Sequence, residues 1–583
     1  MPRAPFFGVA LACLCSCAVP GKGEGGDAPP GHAGRRLDDP RGEEVERYLR
    51  EYGYDPADFR AAPDRWRAGL PGWQRADAPP GGVDSPYMRG SALDPYRQNV
   101  LKGDYPILGQ HVFFVFTAVS DTIVEARDLP TPSSISTAGP GRAAFFGSGR
   151  QAFVSSNLAL SLELFSGNAA FKPVDWLVRI TPVFNASFLD VRENNAVSID
   201  VREGTTREDG HVGLQEAFVE KHLADLSDNY DFLSLTVGIQ PFVADFRGFL
   251  FSDNNLGARL TANWDNNRTQ ANLALFYPLE KDTNSELNEF ETRDQLILVA
   301  SLFRQDFVWL GYTARLTFAW NHDLGSARED ANHVPVRPAI LGEARTAGLD
   351  VVYLGWAGDG HIGRLNLTHE AYLALGRDEF NQITGRPVDI AAFLAFLELS
   401  VDFDWLRVRG SLLWLSGDDD PFDGTAQGFD GILDNPNFAG GANSFWIRQG
   451  IRLLGVGLVQ RLSAFPSLRS SKLEGRANFV NPGLLFLTAG LDAEVTQELR
   501  ASLNVSYLFF ADPELLGPFL HQDGIGRDVG GEVTLSLQAR PFLTSNVQLA
   551  GGLSLFFPGE DFGRIYESRS LLVSLFLQMT LVF

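Results

Sequence analysis

The carboxy-terminal stretch Leu571 to Phe583 reads LLVSLFLQMTLVF, and its periodicity limits the possible folds more than any other feature. Leu571, Val573, Leu575, Leu577, Met579, Leu581 and Phe583 are apolar, while Ser574, Gln578 and Thr580 fall between them. A period of two sends successive side chains to opposite faces of a β-strand, one face apolar and the other mixed. The alternation returns upstream, where Leu233, Leu235, Val237 and Ile239 interleave with Ser234, Thr236 and Gln240, and Val533, Leu535 and Leu537 with Thr534, Ser536 and Gln538. A soluble sandwich would bury such faces equally well, so single strands do not choose between water and membrane. The connections between them do.

Candidate strands begin near residues 111, 151, 174, 211, 231, 255, 269, 293, 309, 349, 361, 388, 405, 482, 498, 527, 545 and 570. Tight turns at Asp265-Asn266-Asn267, Asp404 and Thr496-Gln497-Glu498 alternate with long connections at 125–150, 190–210, 321–348 and 417–481. Short turns at one rim, long loops at the other and an even strand number define a transmembrane barrel. The expected fold is therefore all-β, a transmembrane antiparallel β-barrel of about 18 strands (16 to 18). The stretch Phe445 to Asn478 is read as loop, because Ser463, Pro466 and Ser467 break any strand there. At this size a barrel encloses an aqueous channel rather than a filled core.

Composition does not oppose this. A hydrophobic content of 44% is that of a soluble protein, but a barrel strand needs only about 9 to 11 residues with alternate positions apolar. No run approaches the roughly 18 apolar residues of a spanning helix; the nearest, Ala391 to Leu399, is interrupted by Glu398. A net charge of -23 argues against a nucleic-acid partner, which needs a basic face.

Residues 1–18 read as a secretory signal, with Arg3, an apolar core from Phe6 to Leu14, and cleavage near Ala18. Leu14 to Cys17 also read as a lipobox that would lipidate Cys17. Cys13, Cys15 and Cys17 all lie here, so the mature chain has no disulfide and no thiolate metal site. Residues 19–110, rich in Pro, Gly and Asp with a helical patch at Glu43 to Tyr52, read as a periplasmic extension, partly disordered or helical. The barrel spans 111–583, with a long extracellular loop at 417–481.

The mixed faces place Arg179, Arg259, Arg315, Arg364, Arg407, Arg409, Arg500 and Arg540 inside, suggesting a lumen that holds carboxylates or phosphates. They place Glu163, Glu216, Glu220, Glu370, Glu398, Asp402, Asp492 and Glu494 there too, and paired ladders that cancel each other are the competing reading. The acidic run Ser416 to Gly424 lacks the spacing of a helical-hand calcium loop, and no metal site is expected. The apolar stretch Gly450 to Val459 is a candidate constriction folding in from the long loop. Trp264, Tyr277, Trp309, Trp320, Trp356, Tyr372, Trp405, Trp414 and Tyr507 fall near strand ends, where aromatic rings settle at headgroup level.

A strand ending on Phe583 resembles the closing strand of bacterial outer-membrane barrels, which implies recognition by the barrel assembly machinery. Gly213 to Leu260, GLQEAFVEKHL followed by LSLTVGIQPFVADFRGFLFSDNNLGARL, resembles the outer-membrane porin group that includes alginate-export channels, as does the acidic loop Ser416 to Gly424. The resemblance implies an 18-stranded monomeric channel in the cell outer membrane, in contact with lipid and lipopolysaccharide, passing small or linear polar solutes without a cofactor. Alginate exporters are expected to have a basic constriction; here acids accompany the arginines, so the polyuronate substrate is not implied. An adhesive or structural surface barrel is the alternative. A barrel enzyme would need a partner motif around His211, His222, His361 or His369, and none is recognisable.

Overall fold

The computed structural model describes residues 92, 99–109, 111–131, 146–167, 173–194, 196–198, 200–331, 333, 335–338, 343–449, 474–542 and 544–583. The wall begins with β1 Val112–Asp128, β2 Arg150–Ser166, β3 Trp176–Val191, β4 Thr206–Asp225, β5 Phe232–Val243 and β6 Ser252–Trp264. It continues with β7 Thr269–Tyr277, β8 Gln295–Arg304, β9 Tyr312–Asp323, β10 Leu349–Ile362, β11 Leu365–Asn381 and β12 Arg386–Phe403. The remaining strands are β13 Leu406–Leu415, β14 Leu484–Glu494, β15 Leu499–Phe509, β16 Asp528–Ala539, β17 Val547–Pro558 and β18 Leu572–Val582. The main sheet has 19 strands, one of which is the two-residue segment Thr425–Ala426 added in parallel to β12, so 19 less 1 leaves 18 in the wall.

Each wall strand pairs antiparallel with its neighbour in sequence, and β1 pairs with β18 from Val119↔Val582 to Arg127↔Ser574. That last pairing closes the sheet and removes its edges, the condition for strands to cross hydrocarbon. The expected starts at 269 and 349 coincide with Thr269 and Leu349; the widest gap is at β4, expected at 211 and beginning at Thr206.

The turns explain themselves locally. Gly363 (φ 61°) and Asp404 (φ 58°) occupy the left-handed region in two-residue turns, and Asp265, Asn266 and Asn267 do so in succession at 58°, 56° and 60°. Glycine enters that region without a Cβ clash, and Asp and Asn tolerate it through local side-chain hydrogen bonds.

Parity along the strands sorts the side chains. Leu273, Leu302, Leu316, Leu354, Leu373, Leu535 and Leu577 project from the outer surface, exposed, in a continuous apolar band. An apolar patch of that extent suits lipid rather than water. Trp264, Trp309 and Trp405 mark its short-turn border, and Tyr277, Trp320 and Tyr507 its long-loop border. Tyr372, expected in these rings, is an exception: it faces inward and is 3% exposed, because its hydroxyl has a partner in the lumen.

Ahead of β1, residues 99–109 lie along the strand's start. Phe116 N–H donates to the Leu101 carbonyl at 2.7 Å, and Lys102 Nζ stands 4.2 Å above the Phe583 ring. The signal at 1–18 and most of the extension at 19–110 lie outside the described residues.

Candidate functional site

Among the described residues, two connections turn into the barrel. In the first, residues 244–251, Asp245 organises the backbone: Oδ1 accepts from Arg247 N at 3.1 Å and Phe249 N at 3.2 Å, and Oδ2 accepts from Leu250 N at 2.8 Å and Tyr372 Oη at 3.2 Å. Burial pushes the Asp245 carboxyl up, against the pull of the Leu250 N–H and the Arg315 charge. Gly248 is required where it stands, since at φ 77° an added Cβ would meet the Asn435 carbonyl.

The second connection joins β13 to β14, and its described limbs are 416–449 and 474–483. It zips onto the first: Ile432 N donates to Leu250 O at 2.9 Å, Asn435 N to Gly248 O at 2.7 Å, and Asn437 N to Arg247 O at 2.8 Å. Phe249 and Phe438 then pack with Phe396 and Phe486 at centroid distances of 5.1 to 5.6 Å. Beyond them the helical turn Phe445–Gln449 reaches the far wall. There Glu532 on β16 accepts from Ser444 Oγ at 2.7 Å and Trp446 N at 3.0 Å, while Glu125 on β1 accepts from Arg448 Nε at 2.8 Å and Gln449 Nε2 at 2.6 Å. Arg448 also lies 4.0 Å over the Phe576 ring.

The described limbs of this connection, 416–449 and 474–483, run inward, while Asp419 and Asp420 of the acidic run stay exposed. Phe429, Ile432, Leu433, Phe438 and Trp446 are buried, and the inner wall offers Val351, Tyr353, Ile390 and Leu394 to match, so burying both surfaces outweighs leaving either in water. Asp418 goes with them: it is buried, and desolvation, reinforced by Asp423, Asp419 and Asp420, pushes its carboxyl up to about 7. In the returning limb, burial likewise pushes Glu474 up to about 7, opposed by the Thr283 hydroxyl and Arg328 and aided by Asp330 and Asp282. The candidate constriction Gly450 to Val459 lies outside the described residues.

Beneath the loops the wall carries an ion-pair ladder. Arg247 Nη2 is 2.6 Å from Glu398 Oε1, and Glu398 is 3.9 Å from Arg409. Arg409 Nε is 3.0 Å from Asp492, and Arg500 lies 3.7 Å from Asp492 and 3.5 Å from Glu494. Arg407 pairs with Asp402 beside it. On the opposite wall Arg179 pairs with Glu163 and lies 3.8 Å from Glu216, with Glu220 also adding to its field. Arg315 donates to Ser301 and to the Val243 carbonyl, and with Arg247 supplies the positive charge near buried Glu370. Arg259 sits on the inward face of β6. Arg364 and Arg540 stand elsewhere: both are exposed on short turns past the strand ends, because the alternation that places a residue inside stops where the strand does.

Solved structures of similar architecture include a porin. It is a BenF-like porin from Pseudomonas fluorescens, 9% identical, covering 81% of this chain and 98% of that one with a TM-score of 0.43. Pseudomonas aeruginosa OccK9 (OpdG) is 11% identical over 81% of this chain and 98% of its own, TM-score 0.44, and OccK5 (OpdH) matches with the same identity and coverage at 0.40. No protein-family model matches the chain, and no curated protein sequence does.

Sequence reasoning missed Asp245, Arg247, Glu125, Arg448 and Glu532. A signal was present in Ala244 to Phe251, ADFRGFLF, where three phenylalanines occupy a connection too short to bury them on its own. Glu125 and Glu532 stood on inward parity, yet nothing in their own strands pointed to partners more than 80 residues away along the chain.

Proposed function

We propose that the protein is an outer-membrane channel through which small polar solutes diffuse passively, as a monomer and without cofactor or catalysis. The observation that carries this reading is the docking of two loops above a wall of paired charges, inside a closed barrel with an apolar outer band. Hydrogen-bonding side chains and charge pairs would replace part of a solute's water shell as it passes. Because the wall arginines have acidic neighbours, the channel is weakly ion-selective rather than a basic anion path. Solutes enter or leave through the mouth at the long loops, and the Phe583 strand, lipid and lipopolysaccharide serve assembly and anchoring.

An alginate-export-like affiliation is part of this proposal. It is supported by the Gly238↔Gly257 pairing of β5 and β6, across which Gln240 Nε2 donates to Gly257 O at 3.1 Å, two residues before Arg259. The paired acids favour smaller solutes than polyuronates. A catalytic reading gains little from the histidines, since His369 faces outward to bond Tyr312 Oη at 2.7 Å while His211 is 3.8 Å from Asp282.

The test is single-channel recording of the refolded mature chain in planar bilayers under a salt gradient. Stable steps with a small reversal potential are expected. Absence of conductance, with or without residues 20–105, would overturn the channel and bring the adhesive surface barrel forward.

A further inference from the structure

We propose that the ladder under the loops favours zwitterionic solutes, small molecules carrying both an ammonium and a carboxylate, over simple anions, cations and uncharged solutes. The inference rests on the channel reading above and names its substrate class. Charge alternates without a gap along Arg247, Glu398, Arg409, Asp492, Arg500 and Glu494, each 2.6 to 3.9 Å from the next. The wall is shaped to keep that continuity. Arg409 on β13 stands opposite Gly490 on β14, where a Cβ would meet Arg409 Nε at 2.9 Å and Asn504 Oδ1 at 2.8 Å. Glycine there lets the Arg409 side chain lie across β14 to Asp492 and to Asn504 on β15, 2.6 Å from its Nη2.

An anion that takes one of these guanidiniums displaces a carboxylate already there, and the displaced group is left half-buried and unpaired. That loss offsets the new contact. A cation meets the mirror image of the problem. A zwitterion inserts between the two members of a rung and gives each a new partner, so no wall charge is stranded. Exposure grades the effect: about 10% for the side chains of Glu398, Arg409 and Asp492, rising to 42% for Arg500 and 59% for Glu494. Water therefore screens the outer rungs, and the inner ones discriminate most.

Proteoliposomes bearing the full chain would be loaded in parallel with γ-aminobutyrate, butyrate and butyramide, which are similar in size and differ in charge. The zwitterion is expected to permeate about fivefold faster than either, the factor that one half-buried rung supplies. Asp492→Asn leaves the ladder one positive charge in excess, between Arg409 and Arg500, so it should reverse the order in favour of butyrate and move the reversal potential toward anions. Arg500→Gln, on the more exposed rung, should move it toward cations. Equal rates for the three solutes through a chain that shows stable conductance would overturn the zwitterion preference and leave the channel standing. No conductance and no permeation would overturn both.

Discussion

Along β12 the inward residues Ile390, Leu394 and Phe396 give way at the next inward position to Glu398, then Ser400 and Asp402. β13 changes at the same level, from Leu413 to Ser411 and Arg409, and β14 from Phe486 to Thr488. Along β12 to β14 the inner wall is thus divided across its height, apolar toward the long loops and polar and ion-paired toward the short turns, whereas on the far side the anchors at the long-loop end are the carboxylates Glu125 on β1 and Glu532 on β16. Phe249, Phe429 and Phe438 of these connections pack on the apolar side of that division, because past it they would cover hydroxyls and charges that need water or partners. The difference teaches that the wall sets where the loop phenylalanines pack.

The largest expected effect comes from breaking the dry half. Phe438 is 2% exposed and touches the rings of Phe249, Phe396 and Phe486, so Phe438→Ala should cost roughly 3 to 5 kcal/mol of loop docking. Conductance should rise and the long loop should become a protease target. Arg500→Ala, in the polar half, should change docking by less than about 1 kcal/mol. If both variants leave proteolysis unchanged, the loops are not held by the aromatic half.

Arg448→Ala tests the far anchor. Removing one partner of a buried ion pair costs about 3 to 5 kcal/mol. Glu125 keeps Gln449, Ser574 and the Arg127 charge, which places the loss at the low end and below that of Phe438→Ala. The measurement is the same pair of readouts, with the expected order of the two variants as the point at risk. A larger effect for Arg448 would make the ion pair, not the aromatic cluster, the main tether.

A smaller effect follows from pH in the two limbs of the long connection. Asp418 and Glu474 keep their protons to about 7 in the folded chain, whereas ordinary carboxyls lose them near 4. The docked form therefore binds more protons than the undocked one between those limits. Its advantage is complete below about pH 4 and is lost as pH rises through about 7. Current fluctuations from transient loop release should be more frequent near pH 8 than near pH 5, severalfold if both groups act together. Asp418→Asn, which has no charge to acquire, should flatten that dependence; an unchanged pH profile would remove Asp418 from the anchor.

Much of this was legible because a period of two is a local signal. The 18 wall strands and the inward sides of Arg179, Arg407 and Arg409 follow from counting along one strand at a time. The inward course of 416–449 does not, since it depends on matching loop phenylalanines to an apolar patch assembled from β10 to β14, and no single segment encodes that patch. Glu398 shows the limit well. Its side could be read from β12 alone, but its partners are Arg247 on a loop and Arg409 on the next strand.

The smallest expected effect sharpens the boundary of the polar half. Arg364 and Arg540 share residue type and parity with Arg407 and Arg500, yet they stand on turns past the wall and exposed to bulk solvent. Water and salt screen a charge there within about 10 Å at ordinary ionic strength, so Arg364→Ala and Arg540→Ala should leave the reversal potential unchanged. Arg407→Ala frees Asp402 inside the barrel and should shift it measurably toward cations. Should the two turn variants shift selectivity as much as Arg407→Ala, the polar half would extend beyond the strands and include the short-turn rim, and the wall would no longer be what confines it.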